Sequence, residues 1–129
     1  MTLPPTDLAC LSERGAKFQV AKDANMTCVV IADYALPPGY EQAQADLLLR
    51  LSPGYPDVPP DMWWFSPHVK RNDGQAIQAT ESIENHLGRQ WQRWSRHLQK
   101  EQWKSGVDCL ETFLALIRKE LERCAMRPA

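Results

Sequence analysis

Within five residues, Arg93-Trp94-Ser95-Arg96-His97 brings together a hydroxyl, two guanidiniums and an imidazole. That set can carry out acyl transfer. A serine hydroxyl attacks a carbonyl carbon once a base takes its proton, and an imidazole, titrating near ~6.5, is the side chain best suited to that at neutral pH. Arg93 and Arg96 could then supply positive charge to the oxyanion that develops. His86 is a second candidate base if the intervening chain folds back. Cys109 is the rival nucleophile, because a thiol in the first turn of a helix is acidified by the backbone N–H groups there. Plainer readings stand beside each of these. Ser95 can be a loop serine, His97 a solvated side chain, and the arginines can hold backbone carbonyls or pair with Glu101. Trp91 and Trp94 fit a core better than an exposed binding surface.

The rest of the composition narrows the chemistry. With 129 residues the chain suits one domain spanning 1–129, and 43% hydrophobic with 24% charged residues describes a globular protein. A net charge of −1 argues against nucleic-acid binding by bulk charge and leaves room only for a local basic patch. Four cysteines without close spacing and three scattered histidines, His68, His86 and His97, predict no metal site. No apolar run approaches the ~18–20 residues of a membrane span. The N-terminal MTLPPTDLACL lacks the basic start and apolar stretch of a signal peptide, so a cytoplasmic location is expected.

The elements that must position these groups follow from pattern. Pro4-Pro5-Thr6-Asp7 and Gly15 bracket a short helix. Lys17–Val20, Thr27–Ala32, Ala45–Leu51 and Asp61–Phe65 read as four strands in sequence, which predicts an antiparallel meander. Leu36-Pro37-Pro38-Gly39-Tyr40 breaks the chain after the second strand, and Ser52 to Pro60, with four prolines, forms a stiff loop after the third. From Ser66 to Trp103 no regular period emerges, apart from a short helical stretch around Ala79–Asn85. A segment of that kind inside a small domain is usually functional. Asp108, with Glu111 three residues on, predicts a helix start, and Leu110, Phe113, Leu114, Ile117 and Leu121 give that helix one apolar face to lay on the sheet. Glu111, Arg118, Lys119, Glu120 and Glu122 are expected to face water. The fold class is therefore α+β.

Tyr55-Pro56-x-x-Pro59-Pro60 after the third strand, an aromatic fourth strand, and Trp103-Lys104-Ser105-Gly106 leading into a helix together resemble the ubiquitin-conjugating-enzyme (UBC) superfamily. The Leu36-Pro37-x-Gly39-Tyr40 turn and the run Trp91-x-x-Trp94-Ser95-Arg96-His97 are similar to a divergent bacterial group, prokaryotic family E, associated with bacterial ubiquitin-like conjugation operons. The resemblance implies a UBC-like fold: a short N-terminal helix, a four-stranded meander, a long irregular active-site segment and a C-terminal helix packed on the sheet. It implies a conjugating enzyme that accepts the acyl C-terminus of a ubiquitin-like protein from an adenylating activating enzyme and passes it to a target amine, with no bound cofactor. An isopeptidase from the same operon is a further expected partner; neither nucleic acid nor a membrane is.

The family's catalytic cysteine sits as far ahead of the downstream tryptophan as Ser95 sits ahead of Trp103. The resemblance thus implies an oxyester on Ser95, with His97 as base and Arg93, Arg96 and Asn85 stabilising the oxyanion. Asp108 would orient an incoming lysine, although capping a helix is its simpler role. The family's His-Pro-Asn tripeptide is missing, and Asn85-His86 is its nearest remnant. Loss of both cysteine and tripeptide equally suits a catalytically inactive binding module, and Cys109 leaves open a thioester-forming enzyme.

Overall fold

The computed structural model describes residues 3–126. Helix α1 (Pro5–Glu13) starts with proline in its first turn, where the missing N–H costs nothing. It ends as Gly15 predicts. With φ +69°, Gly15 lets its own N–H bond Ser12 O while Ala16 N–H bonds Leu11 O, the paired closure of a Schellman motif.

Strands β1 (Lys17–Asp23), β2 (Met26–Ala35), β3 (Gln44–Leu51) and β4 (Trp63–Ser66) form the expected meander. The strand count nevertheless needs correction. Two further strands, β5 (Ile83–His86) and β6 (Arg89–Trp94), lie inside the segment expected to be irregular, and the helix expected around 79–85 is instead the approach to β5 and most of that strand. The sheet is six-stranded and antiparallel in the order β1-β2-β3-β4-β6-β5. Turn chemistry and polar burial hid the extra hairpin. Leu87 and Gly88, at φ 55° and 76°, form its two-residue turn in the doubly left-handed conformation where Asn-Gly is the usual signal. In β6, Gln92 is buried and satisfied: its amide bonds both N–H and C=O of Val69 and accepts the Trp94 indole N–H. A buried glutamine leaves no apolar alternation to read.

Helix α2 (Leu110–Met126) lies across one face of the sheet. Its stripe of Leu110, Phe113, Leu114, Ile117 and Leu121 is fully buried against Val29, Leu47, Leu49, Trp63, Phe65 and Trp94. Each of these side chains contributes about 1.5–3 kcal/mol by leaving water. Tyr40 fastens the far end, its hydroxyl donating to Leu121 O at 2.6 Å.

The opposite face holds a second, smaller core: Cys28, Leu48, Trp64 and Trp91, all nearly inaccessible. Leu48 thus points away from Leu47 and Leu49, as an unbroken Leu-Leu-Leu run predicts for a strand covered on both sides. The sheet itself does the covering. Asp23 on edge strand β1 approaches His86 on the other edge strand, β5, to 3.7 Å. Six strands laid flat would hold these edges about 24 Å apart, so the β5–β6 hairpin curls over the second face. No described helix is long and apolar enough to cross a membrane.

Candidate functional site

The proline-rich loop and Trp103 form one joint. The Trp103 indole N–H donates to Pro56 O at 2.9 Å and its ring tilts against Tyr55, 6.1 Å between centroids. The Tyr55 hydroxyl donates to the buried carboxylate of Asp7 at 2.7 Å, and the other Asp7 oxygen accepts the backbone N–H of Leu110, the first residue of α2, at 2.9 Å. Burial, followed by that carboxylate, pushes the Tyr55 phenol far above its ordinary range. Asp7 therefore sits in the first turn of α1 but makes no cap bond for that helix. It caps α2 from a distance and ties three parts of the chain together. Asp108 is displaced from that role: its carboxylate accepts Lys104 N–H at 2.5 Å and the Thr112 hydroxyl at 3.2 Å, closing the turn ahead of the helix.

Chain leaving β6 carries Ser95, held in place by the bond from its N–H to Ala79 O. Its hydroxyl, on a half-buried residue, accepts Arg93 Nε–H at 3.1 Å. Another guanidinium nitrogen of Arg93 donates to Glu84 Oε2 at 2.8 Å. Glu84 also receives the Trp64 indole N–H and faces His86 Nε2, both at 2.9 Å. Burial pushes its acidity down, but the bonds from His86, Trp64 and Arg93 together outweigh that and hold its carboxyl below the usual range. A cation fixed on Ser95 favours the alkoxide and leaves the hydroxyl proton to be given away.

The two arginines flanking Ser95 divide. Arg93 touches it, whereas the Arg96 side chain turns toward α2, pairs with Glu120 at 2.6 Å and stacks on Trp94, 5.1 Å from the ring centroid. Glu120, expected to face water, is instead held by Arg96 and Arg123. His97 presents Nδ1 to Asp61 Oδ1 at 2.6 Å on the protein surface, and among the described residues no hydrogen bond joins it to Ser95. Two residues apart in the chain, the two lie no more than about 7 Å apart at Cα.

The structure does not gather Asn85. It is exposed on β5 opposite Gln90, five residues up β6 from Ser95, about 16 Å along the strand. His86 has both ring nitrogens facing carboxylates, Glu84 and Asp23, so it is spoken for as a base. Cys109 occupies the position just ahead of α2, half-buried, its N–H bonded to the Thr112 hydroxyl at 3.4 Å. Among the described residues no group of three or more His, Cys, Asp or Glu is arranged to hold a metal ion.

Asp61, Glu84 and Asp7 are the site's unannounced members. Nothing in the spacing links Asp61 to His97, 36 residues later, or Asp7 to Leu110, 103 residues later; only the fold makes them neighbours.

No curated protein and no solved structure matches the chain. The profile of the prokaryotic E2 family E, in contrast, matches residues 3–124, taking in α1, all six strands, the Ser95 segment and α2 as far as Cys124, and the chain belongs to that family.

Proposed function

We propose that the protein accepts the acyl C-terminus of a ubiquitin-like protein as an oxyester on Ser95 and passes it to a target amine. Membership of the family supplies the general role in ubiquitin-like conjugation and the general partners, a ubiquitin-like protein and an activating enzyme. The observation that carries the specific reading is the Arg93 guanidinium on the Ser95 hydroxyl, itself braced by Glu84. In loading, Ser95 Oγ attacks the carbonyl carbon of the thioester on the activating enzyme. The Oγ–C bond forms, the C–S bond breaks, the sulfur leaves as a thiolate, and the hydroxyl proton passes through His97 to that sulfur. In discharge, the nitrogen of an amine attacks the same carbon, the N–C bond forms, the C–Oγ bond breaks, and a proton from the amine returns to Ser95 Oγ. An oxyester is a poorer acyl donor than a thioester, so stabilising the tetrahedral oxyanion matters most in this second step. Arg93 is the cation beside the reacting oxygen.

The experiment mixes the protein with its activating enzyme, ATP and the ubiquitin-like partner, and resolves products with and without reductant. An adduct that survives reductant, is cleaved by hydroxylamine and is lost in Ser95→Ala is the expected result. Ser95→Cys then converts it to a reductant-sensitive one. An adduct lost in reductant and abolished by Cys109→Ser would move the chemistry to Cys109. Binding without any adduct would make the protein an inactive module.

A further inference from the structure

His97 differs from the other two histidines in how it is held. His86 is enclosed by carboxylates on both nitrogens, and among the described residues the ring of His68 has no carboxylate partner. The His97 imidazole is anchored on one side only, by Asp61 at Nδ1, and Nε2 has no partner among the described residues. The backbone on either side of the anchor is paired. Met62 N–H donates to Arg96 O at 3.0 Å, fastening the backbone beside Asp61 to the backbone beside His97. One residue further on, Trp63 pairs with Trp94 across the sheet and their rings stack 6.1 Å apart. Met62 takes φ 61°, an uncommon conformation for a side chain of that kind, and it lies next to the carboxylate in question. The pair therefore joins a short side chain to a ring across fixed backbone, and ordering it costs less than ordering the two long chains of an ordinary surface ion pair. His97, with Trp63, Leu98, Phe113 and Leu116, helps to line a recess of about 170 Å³.

We propose that Asp61 is a positioning residue for acyl transfer. Its carboxylate accepts the proton of His97 Nδ1, which fixes the neutral ring in the Nδ1–H tautomer and leaves Nε2 as the lone pair that takes the Ser95 proton. The hydrogen bond at one ring nitrogen sets the state of the other. When loading makes the ring an imidazolium, the same carboxylate stabilises that charge. Both side chains are more than half exposed in the free protein, 64% for His97 and 56% for Asp61, so their coupling strengthens when a docked partner excludes water from the pair. This proposal rests on the acyl-transfer reading above.

Two measurements test it. The first uses the isolated protein with ¹⁵N-labelled histidine rings, at a pH where His97 is neutral. Long-range proton–nitrogen spectra should show Nδ1 protonated in the wild type and the Nε2–H form gaining in Asp61→Ala. The second is the rate of adduct formation on Ser95. Asp61→Ala should slow it by about tenfold, below the full contribution of a general base; Asp61→Glu should recover part of the loss. The double variant Asp61→Ala/His97→Ala should be no slower than His97→Ala alone, because a positioning residue acts only through its partner. A wild-type ring mainly in the Nε2–H form, or an unchanged rate in a folded Asp61→Ala, overturns the proposal. If the wild type forms no adduct, the acyl-transfer reading fails and Asp61 loses its catalytic purpose, while the spectra still decide whether the carboxylate sets the tautomer.

Discussion

Arg93 Nε donates to the Ser95 hydroxyl at 3.1 Å, and what holds that guanidinium in place is Glu84, on the neighbouring strand. The charge beside the proposed nucleophile is therefore only as well placed as the β5–β6 pairing that carries Glu84. Glu84→Gln keeps the shape and a neutral hydrogen bond but removes the ion pair. With both partners about 30% exposed, the pair is worth about 1 kcal/mol or less. The rate of Ser95 acylation should fall about 3- to 5-fold, with the thermal unfolding midpoint lowered by a few degrees at most. Single-turnover adduct formation and a circular-dichroism melt measure the two. A large fall in rate with the melt untouched would mean that Glu84 does more than brace Arg93.

Asp7 is the structural counterpart. A buried carboxylate that caps α2 and receives the Tyr55 hydroxyl belongs to the fold and not to the chemistry. Asp7→Ala strips the Leu110 N–H and the Tyr55 hydroxyl of their acceptor at once and should cost about 2–4 kcal/mol in urea unfolding. Tyr55→Phe removes only one donor to the carboxylate and should cost about 1–2 kcal/mol. If the two variants cost the same, the Leu110 bond contributes nothing and the distant capping role is wrong.

These ties also show what could be read from the chain and what could not. Gly15, the β-branched Thr27–Ala32 run, the three leucines of β3 and the apolar stripe of α2 announce local structure through local pattern, and all four stand where expected. The β5–β6 hairpin failed to announce itself because its turn uses Leu87 where asparagine is the common signal, and because its central strand buries Gln92. At the site, Ser95, Arg93 and His97 were legible as a cluster, since they are neighbours in sequence. Glu84 and Asp61 were not, since each meets its partner only through strand pairing. Asn85 fell out for the same reason: a ladder register, invisible in sequence, carries it up β5 and away from Ser95.

The turn makes its own prediction. Leu87 holds φ 55° while 38% exposed, so its side chain gains little from packing and pays for a left-handed backbone. Asparagine tolerates that conformation far better. Leu87→Asn should stabilise the protein by about 0.5–1 kcal/mol, read as a higher urea midpoint at unchanged slope. A loss of stability would show that Leu87 packs more tightly than its exposure suggests.

Acid should weaken the clamp between the Ser95 segment and α2. The Arg123 hydrogen bond, opposed by burial and reinforced by Arg96, holds Glu120 at about 2, against an ordinary 4.5. A folded-state value below the unfolded one means that the unfolded chain takes up the proton first as pH falls. The stability this group supplies is therefore complete above about pH 5 and is lost progressively between about pH 4.5 and 2. After allowance for solvent screening it amounts to about 1–2 kcal/mol. Glu120→Gln should cost that much at pH 7 and almost nothing at pH 2, so the wild-type and variant curves of unfolding free energy against pH should converge in acid. Curves that stay parallel down to pH 2 would show that the Arg96–Glu120–Arg123 cluster contributes through shape and not through charge.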